Sequence, residues 1–145
     1  MLLCVVDVWG VTQLHNVVYM VCWESSAIRR FNATMHAQLT DINVKDMRLP
    51  CDIAACTQTS QLYVPDLNKE CIWRVSSDGE DIKCWWTQSQ SDTFRPDTLS
   101  VTSSRLLVTS SYTDELLQLD VSGDEVRRVR PVSYTHLTLP TILRV

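Results

Sequence analysis

Glycine is almost absent, with three residues in a chain of 145. The scarcity leaves no room for a glycine-rich phosphate cradle, and neither a P-loop nor a dinucleotide fingerprint occurs. The G-x-S-x-G elbow of the α/β-hydrolases is missing as well. Histidine is as sparse, at His15, His36 and His136, so a nucleophile–imidazole pair has few places to form. No apolar run approaches the roughly 18 residues that a membrane span needs. The start, MLLCVVDVWG, is apolar for only six residues before Asp7. It has no basic leader and no small-residue cleavage site, so it does not read as a signal peptide. Positive charge is in deficit: 13 Lys and Arg stand against 17 Asp and Glu, a formal net charge of -4. Nucleic-acid surfaces are usually basic, so an RNA partner is not supported by net charge.

What is present is an ordinary globular composition, 45% hydrophobic and 21% charged, which excludes a disordered tail. Six cysteines occur, Cys4, Cys22, Cys51, Cys56, Cys71 and Cys84. With no secretion signal they read as reduced, mostly buried thiols of a cytoplasmic chain. Cys51 and Cys56 are not joined by a second Cys or His pair at metal-ligand spacing, so no metal or cofactor is expected.

An internal repeat organises the chain. NVVYMVCWESSAIRRF, from Asn16, and SQLYVPDLNKECIWRV, from Ser60, align at a shift of 44 residues. Val18 then meets Leu62, Tyr19 meets Tyr63, Met20 meets Val64, and Ile28 meets Ile72. A further shift of 44 brings in Leu106, Leu107, Val108 and Leu116. Each unit holds short strands rich in Val, Ile, Tyr and Trp. In the second unit these are CDIAAC, SQLYVP, ECIWRVS and DIKCWW; in the third, PDTLSVT, RLLVTS, ELLQLDV and EVRRV. Pro65-Asp66-Leu67-Asn68, Ser77-Asp78-Gly79 and Ser122-Gly123-Asp124 supply the turns between them. The first unit is the least regular, and residues 32–49 carry weak strand character.

Four short strands per repeat of about 40–45 residues mark a β-propeller blade. The expected fold is all-β, an open fragment of a β-propeller with about three four-stranded antiparallel blades, over residues 4–48, 49–94 and 95–130. A β-sandwich with similar turn spacing is the rival, but it does not account for three units in phase. Pro50, Asp52-Ile53, Leu62-Tyr63-Val64, Ile72 to Val75 and Asp78-Gly79 resemble the blades of NHL-type repeat propellers. The glycine usual before the second strand is absent, and so is the WD dipeptide. The resemblance implies a binding scaffold for a protein partner, with RNA binders and ubiquitin-ligase recognition modules among its relatives. The alternative it implies is a calcium-dependent propeller hydrolase of the lactonase kind, which needs Asp, Asn and Glu converging from several blades.

Candidate binding residues follow. Asp7, Asp52 and Asp97 recur at a spacing of 45, each leading into a first strand. They form either a carboxylate ring or repeated backbone-bonding turns. Asp66 and Lys69 lie in the turn between second and third strands. Trp85-Trp86 follows Lys83, and strand alternation predicts one ring in the inter-blade core and the other exposed. Arg29-Arg30, Arg127-Arg128 and Arg130 read as solvated outer-strand residues. The unclosed ends of three blades would expose Val18, Tyr19, Leu106 and Leu107 or their face-mates, so the fragment is expected to self-associate.

After Arg130 the repeat stops. Within the last residues, PVSYTHLTLPTILRV, the ten from Val132 to Thr141 can be back-translated into a sequence that resembles the transposase adapter used to build sequencing libraries, with Pro131 a compatible flank and the adapter's stop falling after Val145. Residues 131–145 are therefore read as non-native, and Tyr134 and His136 are kept out of any site. Genomic DNA spanning this locus is expected to diverge from the chain immediately after Arg130 or Pro131. Genomic codons for VSYTHLTLPT in place would refute the adapter reading.

Overall fold

The computed structural model describes residues 7–130; Cys4 and the tail 131–145 lie outside the described residues. Twelve strands make three four-stranded antiparallel sheets. The first blade holds β1 (Val8–Leu14), β2 (Val17–Cys22), β3 (Ala27–Asn32) and β4 (Gln38–Asn43). The second holds β5 (Ala54–Cys56), β6 (Gln61–Asp66), β7 (Cys71–Ser76) and β8 (Ile82–Thr87). The third holds β9 (Pro96–Val101), β10 (Leu106–Ser110), β11 (Leu116–Leu119) and β12 (Glu125–Val129). Each sheet is an up-and-down meander in chain order, and none closes into a barrel. The first strands β1, β5 and β9 lie side by side. The result is an open, propeller-like array.

Residues 32–49 do contain a strand, β4. Its sequence, QLTDIN, is too polar to announce itself, and it pairs with β3 through Ile28↔Ile42 and Arg30↔Leu39. An outermost strand needs little apolar character because one edge and most of one face meet water.

Two apolar layers lie between the three sheets. Tyr19, Val21, Ile28 and Ile42 of blade 1 pack with Ile53, Leu62, Val64 and Val75 of blade 2. Tyr63, Ile72 and Cys56 on the other face of blade 2 pack with Leu106, Val108, Leu117 and Leu119 of blade 3, with Phe94 between. Alternation along β6 thus sends Leu62 and Val64 one way and Tyr63 the other. Tyr19 and Leu106, expected at open ends, are instead inter-blade core at 2% and 5% exposure. Val18 and Leu107, their neighbours on the opposite sheet faces, are half-buried.

Glycine scarcity leaves a mark on the turns. His15, Glu24, His36, Ser60 and Glu70 adopt left-handed φ values of 53–57°, a conformation that costs a non-glycine residue about 1 kcal/mol. One glycine is placed by contact. A Cβ on Gly10 would stand 2.8 Å from Asp52 Cα and 2.9 Å from Ile53 N, so β1 can approach blade 2 only without a side chain there. Gly10→Ala is expected to destabilise the chain by about 1–3 kcal/mol, the usual cost of overpacking against backbone. Urea unfolding followed by tryptophan fluorescence measures it, and an unchanged midpoint would contradict the close packing of β1 on blade 2.

Candidate functional site

The crossovers between blades and the turns between second and third strands share one end of the array. A repeated backbone bond builds this loop face. The amide of Trp23 donates to Asp7 O (2.9 Å), that of Leu67 to Leu49 O (3.0 Å) and that of Ser111 to Arg95 O (3.1 Å). Asp7, Leu49 and Arg95 are therefore structural equivalents. Pairing within the blades gives a second set: Val8↔Cys22, Pro50↔Asp66 and Pro96↔Ser110.

These registers give the three aspartates no common place in the blades. Asp7 precedes the Val8–Pro50–Pro96 position, Asp97 follows it by one residue, and Asp52 by two. The spacing of 45 in sequence coincides with no constant place in the blade, because the crossovers differ in length. Asp7 is exposed, whereas Asp52 and Asp97 are half-buried. Asp52 acts as a strut: its Oδ1 accepts from the Ile53 amide (2.8 Å) and its Oδ2 from the Leu99 amide of β9 (2.9 Å). Burial holds its carboxyl above the ordinary range, Asp97 adds to the effect, and the two amides oppose it. Burial, with Asp97, Asp66 and Asp52 nearby, also pushes the Cys51 thiol up. Among the described residues, no group of three or more His, Cys, Asp or Glu is placed to hold a metal ion.

Asp66 is wholly buried and organises the turn. Its carboxylate accepts from the amides of Arg48 (2.9 Å), Leu49 (3.0 Å), Asn68 (3.1 Å) and Lys69 (3.1 Å), and from the Trp73 indole (3.1 Å). Both oxygens are thus engaged within the chain. At the equivalent place in blade 3 the Ser110 hydroxyl accepts from the Arg95 amide (3.0 Å). Lys69 stays exposed. It borders a groove between the first two blades lined by Glu24, Ser26, Met47, Arg48, Leu49 and Asn68.

Trp85 and Trp86 do not divide between core and solvent. A bulge between Ile72 and Trp73 in the β7–β8 register breaks the alternation, and both rings pack against the core between blades 2 and 3. Trp85 lies 4.9 Å from the Tyr63 ring, and Trp86 meets Phe94 edge-on at 6.0 Å. The exposed aromatics are others. Trp9, at the start of β1, stacks on Trp23 of the β2–β3 turn with centroids 4.6 Å apart, 49% and 37% exposed. Tyr112, in the β10–β11 turn, is 67% exposed beneath the Arg95 guanidinium at 4.5 Å. Arg95 also pairs with Glu70 at 2.8 Å. The signal was present in the sequence: once His15-Asn16 is taken as a hairpin turn, Trp9 and Trp23 fall at adjoining strand ends.

Arg128 of β12 and Arg130 just after it are engaged by carboxylates of the same chain. Arg128 grips Asp92 through two bonds of 2.9 Å and holds its carboxyl below the usual range. Arg130 does the same for Glu115, its Nε lying 2.8 Å from the carboxylate. Arg29 and Arg30 are half-buried and Arg127 is exposed.

No known family profile matches the sequence, and no curated protein matches it. Solved structures do match the fold. Hydrazine synthase of Kuenenia stuttgartiensis superposes with a TM-score of 0.72 at 12% identity, over 88% of this chain and 37% of that one. The computationally designed Ika8 protein superposes with a TM-score of 0.62 at 8% identity, over 84% and 36%. The chain spans little more than a third of either. At these identities the likeness is one of fold: a propeller-like array of four-stranded blades.

The Asp66 hub yields a direct test. Asp66→Ala removes the shared acceptor of five part-buried donors, each worth about 1–3 kcal/mol when left unpaired away from water. A loss of more than about 3 kcal/mol is expected in chemical denaturation. Asp66→Asn, which keeps an acceptor, should lose less. Equal losses for the two variants would contradict the hub.

Proposed function

We propose that this chain is part of a cytoplasmic, NHL-like propeller scaffold that binds a protein partner across its loop face. The observation that carries the reading is the solvent-facing Trp9–Trp23 stack. Tryptophan, tyrosine and arginine dominate the energetics of protein interfaces, and large exposed rings on a rigid frame lose little entropy on docking. Tyr112 under Arg95 adds a second such element on the same face, and Lys69 and Arg48 border the groove between the first two blades. The hydrolase alternative draws no support from Asp7, Asp52 and Asp97, which stand at three different registers, or from Asp52, whose oxygens serve backbone amides.

Selection of a displayed peptide library on the full chain tests the proposal. Trp9→Ala and Trp23→Ala are each expected to weaken the selected peptides by about tenfold or more, the loss of a hot-spot aromatic. Thr57→Ala, in a turn at the opposite end of the blades, should leave binding unchanged. Peptides that bind the tryptophan variants as well as the parent would overturn the loop-face reading.

A further inference from the structure

The pairing registers show which sheet positions are equivalent. Thr12 opposes Tyr19, Ala54 opposes Tyr63 and Ser100 opposes Leu107. Ile53, Leu62, Val64 and Val75 of blade 2 therefore correspond to Val11, Val18, Met20 and Phe31 of blade 1. In blade 2 all four are at most 3% exposed, because blade 1 covers them. In blade 3, Leu106, Val108 and Leu119 hold the same places and are covered by blade 2. In blade 1 nothing among the described residues covers the set: Val11 is 57% exposed, and Val18, Met20 and Phe31 are half-buried.

The surface that does the covering is also repeated. Tyr19, Ile28 and Arg30 of blade 1 present it to blade 2, and Tyr63, Ile72 and Arg74 present it to blade 3. Leu107, Leu116 and Gln118 hold these places in blade 3, where no further blade follows among the described residues. Among the described residues, blade 1 thus presents a socket without an occupant and blade 3 a plug of the same register without a socket.

We propose that blade 3 of one copy seats on the open face of blade 1 of a second copy, continuing the junction that already joins blade 1 to blade 2 and blade 2 to blade 3. The contact is heterologous, plug into socket. Two such junctions between two copies close a ring of six blades, within the four to eight that typical propellers use. The apolar character of Val11, Val18, Met20 and Phe31 is then explained by the same burial that their counterparts receive. This inference uses the blade faces and is independent of the loop-face reading.

Sedimentation velocity on the full chain tests it. A dimer is expected for the parent, and Val11→Glu or Leu107→Glu alone should each abolish the dimer. Mixing the two variants should restore a dimer, since the Val11→Glu copy keeps its plug and the Leu107→Glu copy keeps its socket. Far-UV circular dichroism checks each fold, and Thr109→Glu, at an exposed position on the plug face, replaces Leu107→Glu if the latter unfolds. A monomeric parent, an open polymer, a dimer that survives either variant, or a mixture that stays monomeric would each overturn the proposal.

Discussion

Burial of each blade against its neighbour is the constraint on which the structure depends. A four-stranded meander has two faces, and in this chain both carry large apolar side chains. Blade 2 satisfies the constraint fully: Leu62, Val64 and Val75 face one neighbour, and Tyr63 and Ile72 the other. Each such side chain contributes roughly 1.5–3 kcal/mol when removed from water, against net stabilities of about 5–15 kcal/mol for a whole domain. Blade-to-blade packing therefore outweighs any single hydrogen bond or surface ion pair. Polar groups at the junctions fix register. The Tyr19 hydroxyl donates to Ser77 O across the first junction (2.9 Å), and Asp52 accepts from Leu99 across the second.

The loop face inherits its shape from that packing. Once the blades are stacked, their crossovers and turns must meet at one end, and their backbone donors need acceptors there. Asp66 answers for five donors, and Ser110 for a smaller set. With the backbone thus secured, the Trp9–Trp23 stack and the Arg95–Tyr112 pair are held on a stiff frame. Such a frame suits the proposed docking of a partner, because less freedom is lost on binding.

Much of this was legible in the sequence. The repeat of 44 residues located β2, β3, β6, β7, β10 and β11, since the middle strands carry apolar side chains at the same places in each unit. The outer strand β4 was hidden because its surroundings ask little of it. The aspartate spacing misled, since crossovers of unequal length shift Asp7, Asp52 and Asp97 to different depths. The Trp85-Trp86 pair misled for another reason: a bulge inserts one residue and cancels the alternation that pattern reasoning assumes. The exposed stack of Trp9 and Trp23 depends on hairpin register, which a composition or period does not carry.

Native-state hydrogen exchange resolved to single amides tests the central role of blade packing most directly. Opening of β6 and β7 requires loss of packing on both faces, so their paired amides should be the slowest in the chain, with β4 and β12 the fastest. Protection in β4 and β12 equal to or greater than that in β6 and β7 would contradict the account.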